Sequence, residues 1–231
     1  MILRVGLAMV AALASLTAQT ASESNSAYRR FQAVQSTPEG IKAAEDWLQI
    51  YERQQPDPRN MPPYLAVARF FVGRSVHMDE IPALLEKATQ ELAVPGGFTD
   101  IRVKTNSPFE DDIERALIAN VYTQVRLYDK AHALLEAVNQ RITVTNPETL
   151  DAVKARIFQA LLFSYRDTAA RLAVAEGRRE DALAIEHAIL TDPKNVAAPR
   201  LIEEHRTIAL QLWRDLGRSE GEFKTWLSSG R

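Results

Sequence analysis

From Glu148 to Glu176 the chain carries neither Gly nor Pro; Asn146-Pro147 stands in front of this stretch and Gly177 behind it. Within it Leu150, Val153, Ile157, Leu161, Tyr165, Thr168 and Leu172 recur at steps of three and four, the spacing of one apolar stripe on a helix. Phe158, Leu162 and Ala169 widen the stripe, and Leu161-Leu162-Phe163 is apolar all round, so this helix needs neighbours on more than one side. Asn146 is placed to cap it by accepting from otherwise unpaired backbone N–H groups. Pro147 suits the first helical position, where its missing N–H costs nothing. Gly177 can take the left-handed conformation that ends a helix. Arg178 to Leu190 then reads as a second helix, stopped at Thr191-Asp192-Pro193-Lys194-Asn195. A tight turn between two helices makes them antiparallel, and the other elements are expected to pack around this pair.

Proline marks further helix starts at Thr37-Pro38-Glu39, Met61-Pro62-Pro63, Ser107-Pro108-Phe109-Glu110 and Ala198-Pro199. Ser107 with Glu110 three residues on is the pattern of a capping box. The spacing predicts helices over 26–35, 38–54, 62–75, 79–93, 108–125, 128–142, 147–176, 179–190, 198–216 and 219–228. Arg141-Ile142-Thr143-Val144 and Ile101-Arg102-Val103 are too short to set a strand fold. The fold class expected is all-α. Val94 to Asn106, with Pro95-Gly96-Gly97, is the longest connection and reads as a loop between hairpins.

Small residues at fixed places in the hairpins carry a resemblance. Ala119, Tyr122, Tyr128, Ala131, Leu135 and Val138 flank the turn Arg126-Leu127-Tyr128-Asp129-Lys130-Ala131. Ala170, Gly177, Ala182, Ile189 and Asp192-Pro193 form a similar set, in which Glu186 falls where a large apolar residue is wanted and Ile185 is the expected substitute. Leu210 and Gly217 begin a third set that departs at Glu222. This pattern resembles the tetratricopeptide-repeat (TPR) family over roughly 109–227, while the pair from Pro62 to Leu92 matches in outline only. The resemblance implies antiparallel helical hairpins stacked as a right-handed solenoid, with residues 22–231 as a single TPR-like domain. The period is irregular: 51 residues separate Arg126 from Gly177 and 40 separate Gly177 from Gly217, against about 34 in the family.

Met1-Ile2-Leu3-Arg4 followed by the apolar run Val5 to Ala18 and then Gln19-Thr20-Ala21-Ser22 has the layout of a secretory signal peptide, expected over residues 1–21 with cleavage near Ala18 or Ala21. The apolar run, about 14 residues, is short of the roughly 20 that span a bilayer. The expected location is periplasmic or secreted, with no stable membrane insertion after cleavage. The chain has no cysteine, which excludes disulfides, thiolate metal sites and thiol chemistry, and its net charge of -2 gives no footprint for nucleic acid. Arg29-Arg30 and Arg178-Arg179 are isolated basic pairs.

No constellation of catalytic residues stands out, and no cofactor or metal is expected. His77, His132, His187 and His205 form no H-E-x-x-H pattern. His132 with Glu136, and His205 beside Glu203-Glu204, read as surface ion pairs. Glu110-Asp111-Asp112 sits in a first helical turn, where the helix dipole favours negative charge. Phe70-Phe71, Phe158, Phe163, Tyr165 and Trp213 fall at core spacing, whereas Trp47 and Trp226 are the candidates for a partly exposed patch.

The expectation is an exported, non-enzymatic binding module or scaffold for a peptide or protein. The alternatives are a structural or oligomerisation domain, or a helper for a separately encoded enzyme. In TPR hairpins the first helix of each pair lines the concave face, and one position six residues before the turn points into it. Counting back from Arg126, Gly177 and Gly217 gives Asn120, Arg171 and Gln211, with Gln124, Asp167 and Arg214 extending the same surface. Polar residues also occupy any solvated helix face. The binding reading alone requires these side chains to share one face.

Overall fold

In the computed structural model, the structure describes residues 23–54, 62–92, 107–195 and 197–229. The expected signal peptide, the Val94 to Asn106 connection and Ile101-Arg102-Val103 lie outside the described residues. Helices are the regular structure among those residues, and no strand occurs there. They fall into two compact units, within Met1–Lys104 and Thr105–Arg231.

The first unit contains α1 (23–34), α2 (Gly40–Arg53), α3 (Tyr64–Arg74) and α4 (Ile81–Leu92). An aromatic cluster joins its first three helices: Trp47 of α2 lies 4.8 Å from Tyr28 and 5.6 Å from Phe31, and Phe31 meets Phe70 of α3 edge-on at 5.2 Å. Trp47 is fully enclosed, at 0% exposure. The exposed patch expected there is therefore absent, because a residue early in the chain need not be near the surface. Tyr51 of α2 donates to Glu91 of α4 at 2.8 Å and stacks edge-on with Tyr64. Burial, with the nearby Glu52 and Glu91 charges, pushes the Tyr64 phenol up to about 12.

The second unit contains α5 (Glu110–Gln124), α6 (Tyr128–Val144), α7 (Ala152–Ala175), α8 (Arg179–Thr191), α9 (Pro199–Asp215) and α10 (Glu220–Ser228). Asp112 at the start of α5 pairs with Arg141 near the end of α6 at 3.1 Å, so the two helices are antiparallel. Asp112 is thus more than a dipole partner: it is buried between Arg115 and Arg141. The α7–α8 pair is antiparallel in the same way, Arg166 reaching Asp192 at 2.6 Å. Glu180 opening α8 holds Arg218 beyond the end of α9 at 2.7 Å, which fixes the sense of that contact too. By contrast α5 and α7 run parallel. Phe109 before α5 meets Phe158, and one turn or more further on Thr168 Oγ1 donates to the Ala116 carbonyl at 3.1 Å. Ala116, Ala119, Ala131, Ala170, Ala173, Ala182 and Ala209 are all buried, small side chains that let helix backbones approach. Trp213, Phe223 and Trp226 close the C-terminal end of this core, with Trp213 Nε1 donating to Ser219 O at 2.7 Å.

Three helix ends of the second unit share one device. At Arg126, Gly177 and Gly217 the backbone is left-handed, with φ of 62°, 78° and 74°. In each, that residue's N–H bonds the carbonyl three back and the next N–H bonds the carbonyl five back, as in Gly177 to Val174 and Arg178 to Ala173. This satisfies carbonyls the helix leaves over and turns the chain sharply. Ser75, at φ 56°, closes α3 by the same pair of bonds.

The start of the long helix differs from expectation. Asn146 accepts from Glu148 N, but this caps only a one-turn 3-10 helix, Pro147–Thr149. The cap of α7 is Asp151, which accepts from Lys154 N at 2.8 Å. Two good capping residues lie close together, and Asp151 is the one from which the continuous helix runs. The first turns of α7 therefore project, and Val153, expected in the apolar stripe, is 62% exposed. Ser107 forms no capping box; its hydroxyl accepts from Phe109 N at 3.3 Å, and α5 begins at Glu110 without a side-chain cap.

Candidate functional site

The C-terminal ends of α5 and α7 lie side by side and leave an open groove of about 610 Å3 lined by Thr123, Gln124, Arg126, Tyr128, Arg171 and Ala175. The turn at Arg126 folds α6 back, which places Arg126 and Tyr128 at one side; α7 supplies Arg171 and Ala175. The Tyr128 hydroxyl spans the groove to the Ala175 carbonyl at 3.4 Å. The Arg126 guanidinium has no hydrogen bond or ion pair with a described residue. Thr123 is already engaged, its hydroxyl donating to Ala119 O. The N–H groups still on offer are then those of the free Arg126 guanidinium, the remaining ones of Arg171 and the second of the Gln124 amide.

Of the residues expected to share a face, Gln124 and Arg171 both line this groove. Asn120 adjoins it, its Oδ1 accepting from Gln124 Nε2 at 2.7 Å. Asp167 stands behind Arg171, accepting from its Nε at 2.7 Å. Gln211 and Arg214 are not among the lining residues. Gln211 donates to Asp215 at 2.7 Å, and Arg214 donates to Glu220 at the start of α10.

Behind Arg171 is a chain of charges that local spacing does not reveal. Arg171 bonds Asp167 at 2.7 Å and Glu204 of α9 at 3.4 Å. Asp167 lies 3.6 Å from His205 Nε2, and His205 Nδ1 lies 2.9 Å from Glu186 Oε2 of α8. Glu186 is 1% and His205 2% exposed. The surface pairing of His205 with Glu203-Glu204 is thus replaced by a buried one. Glu186 itself occupies the core position that Ile185 was expected to fill, its charge matched by His205. His132 likewise turns from Glu136 to Glu176 at 2.7 Å, joining α6 to the end of α7. Burial favours the neutral acid at Glu176, yet hydrogen bonds from Arg178 and His132 hold its carboxyl below the usual value. For Arg171, burial works against the charged form, and Asp167 and Glu204 outweigh it so that the guanidinium is held charged more firmly than usual.

Among the described residues no group of His, Asp and Glu is arranged to hold a metal ion, and no helix is long and apolar enough to cross a membrane. No protein-family model matches the chain, and neither the curated proteins nor the solved structures give a match.

Proposed function

We propose that the second unit is a TPR-like binding module that holds an extended peptide or protein segment along the groove between α5 and α7. The observation that carries this reading is the conformation of Arg126. At the two equivalent turns of the second unit the left-handed residue is glycine, which adopts it without strain, whereas Arg126 adopts it at a cost of roughly 1 kcal/mol. Backbone strain of this kind gathers where a side chain is used. Here the side chain lines the groove with its guanidinium unpaired. The repeated turn, the parallel α5 and α7, and the antiparallel partners α6 and α8 support the TPR-like arrangement. The donors along the groove suit backbone carbonyls and carboxylates of a bound segment, in an extended-peptide mode of capture. Export through an N-terminal signal peptide places the module in the periplasm or outside the cell.

The test uses the full chain and an array of unstructured decapeptides, each with either a free or an amidated C-terminus. A subset should bind, and Arg126→Ala or Arg171→Ala should weaken that subset by about tenfold or more, the worth of one charge-assisted hydrogen bond. Binding that survives both changes, or no binding at all, sinks the reading. A second reading, an oligomerisation domain, is favoured by two exposed apolar side chains, Val144 at 78% and Val153 at 62% exposure. Sedimentation of the protein with both changed to lysine separates the two: only the second reading expects an assembly that this dissociates.

A further inference from the structure

The groove uses the outer end of the ion chain; the inner end is buried where α7, α8 and α9 meet. α9 packs along α8 and has no comparable backbone packing with α7. Beside the apolar cluster that Ala173 of α7 shares with Ala209 and Leu212 of α9, three side-chain contacts join the two helices. His205 of α9 lies 3.6 Å from Asp167 of α7, Glu204 reaches Arg171 at 3.4 Å, and Phe163 of α7 meets the His205 ring edge-on at 5.4 Å.

Both ring nitrogens of His205 face carboxylate oxygens, Nδ1 towards Glu186 and Nε2 towards Asp167. A neutral imidazole has one N–H and one lone pair, so in that form one nitrogen would direct its lone pair at an anion. Only the imidazolium donates on both sides. We propose that His205 is a proton-operated clasp: protonated, it ties α9 to α7 through Asp167 and so steadies Arg171 at the groove; deprotonated, it releases Asp167 and loosens both. The consequence for Arg171 rests on the peptide-groove reading, whereas the tie between α9 and α7 does not.

The groups around the ring set the direction. Burial alone would lower the imidazole's proton affinity. The hydrogen bond and charge of Glu186 from α8, with the charge of Asp167 from α7, outweigh burial; Arg171 from α7 opposes them, and the net lies above the ordinary 6.5. Phe163 brings no charge, and Glu204 on α9 itself is engaged by Arg171. A raised folded value means the clasp's contribution is fully present below pH 6.5 and is lost as the pH rises through the folded value.

The experiment is nitrogen-detected NMR titration of the four histidines in the intact chain, paired with hydrogen exchange. The His205 midpoint should exceed 6.5, with N–H signals at both ring nitrogens below it, and Glu186→Gln should lower it. Above the midpoint the opening of α9 amides, corrected for intrinsic exchange, should rise by up to about tenfold per pH unit, the limit for one proton, while α5 and α6 stay level. A wild-type midpoint at or below 6.5, or α9 protection indifferent to pH, overturns the clasp. Affinity for the array peptides should fall with the same midpoint. If titration and exchange behave as described while no peptide binds, the groove fails and the clasp stands.

Discussion

Glu186 Oε2 and His205 Nδ1 sit 2.9 Å apart with both side chains almost wholly enclosed, an ion pair placed in the contact of α8 with α9 where apolar packing surrounds it. Ala182, Leu183, Ala209 and Leu212 of the same two helices form the adjoining core. A pair of this kind is a poor source of net stability, because removing two charges from water costs nearly what their attraction returns. It is a strong source of specificity for register: neither partner tolerates a helix shift that would strand the other.

Removing one partner should therefore hurt far more than removing both. Glu186→Leu leaves a buried imidazolium whose nearest carboxylate is Asp167, and the expected loss is about 3–5 kcal/mol in urea unfolding at pH 6. Glu186→Leu with His205→Leu should recover most of it, since a well-packed apolar pair avoids the desolvation cost. A double variant as unstable as the single would show that the loss comes from packing rather than from a stranded charge.

Gly177 has φ 78°, and a Cβ there would meet no heavy atom within 4 Å. The cost of Gly177→Val is thus backbone strain alone, expected at roughly 1–2 kcal/mol. Gly217→Val, with the same geometry and the same open surroundings, should cost about as much. Unchanged melting in both variants would contradict the left-handed turns.

What could be read from the sequence follows from where each signal resides. Gly177, Gly217 and Pro199 are local marks: each fixes backbone behaviour within a residue or two, and the helices begin and end close to them. The alanines of the hairpins were readable for a similar reason, since small residues on a repeating pattern mark close approach. Glu186 and His205 carry no such mark. They lie 19 residues apart on separate helices, and their meeting depends on which faces α8 and α9 turn to one another. His132 was paired in sequence with Glu136, one turn away, but the ring reaches across to Glu176. A count from the turn puts Arg171 on one surface, and Gln124 follows as a neighbour of the counted Asn120. In the sequence Arg126 reads only as the turn itself, and what distinguishes it is its φ, which composition does not disclose.

Two glycines of the first unit should respond in opposite directions. A Cβ at Gly40 would lie 2.9 Å from Val34 O and 3.0 Å from both Gln35 Cα and Phe70 Cζ. Backbone cannot yield as a flexible side chain does, so Gly40→Ala should cost about 1–3 kcal/mol. Gly73, inside α3 with nothing within 4 Å, is free of that constraint, and Gly73→Ala should stabilise by about 0.5–1 kcal/mol through helix propensity. Differential scanning calorimetry of the two variants reads both signs. Equal and small effects would contradict the close α1–α2 turn.

Arg126→Gly separates use from stability in one substitution. Glycine occupies the same left-handed position at residues 177 and 217, so the change relieves strain at φ 62°. Relief is worth roughly 1 kcal/mol, and the greater freedom of glycine in the unfolded chain takes back a similar amount. The melting temperature should stay level or rise slightly. Peptide binding should nevertheless drop by about tenfold, because the one guanidinium in the groove without an internal partner has gone. Arg126→Lys should keep the strain, retain a charge, and bind at an intermediate level, a single ammonium replacing the forked donor. A fall in stability with Arg126→Gly would mean that the arginine serves the turn itself. Level stability with unaltered binding would remove the groove from the function of this chain.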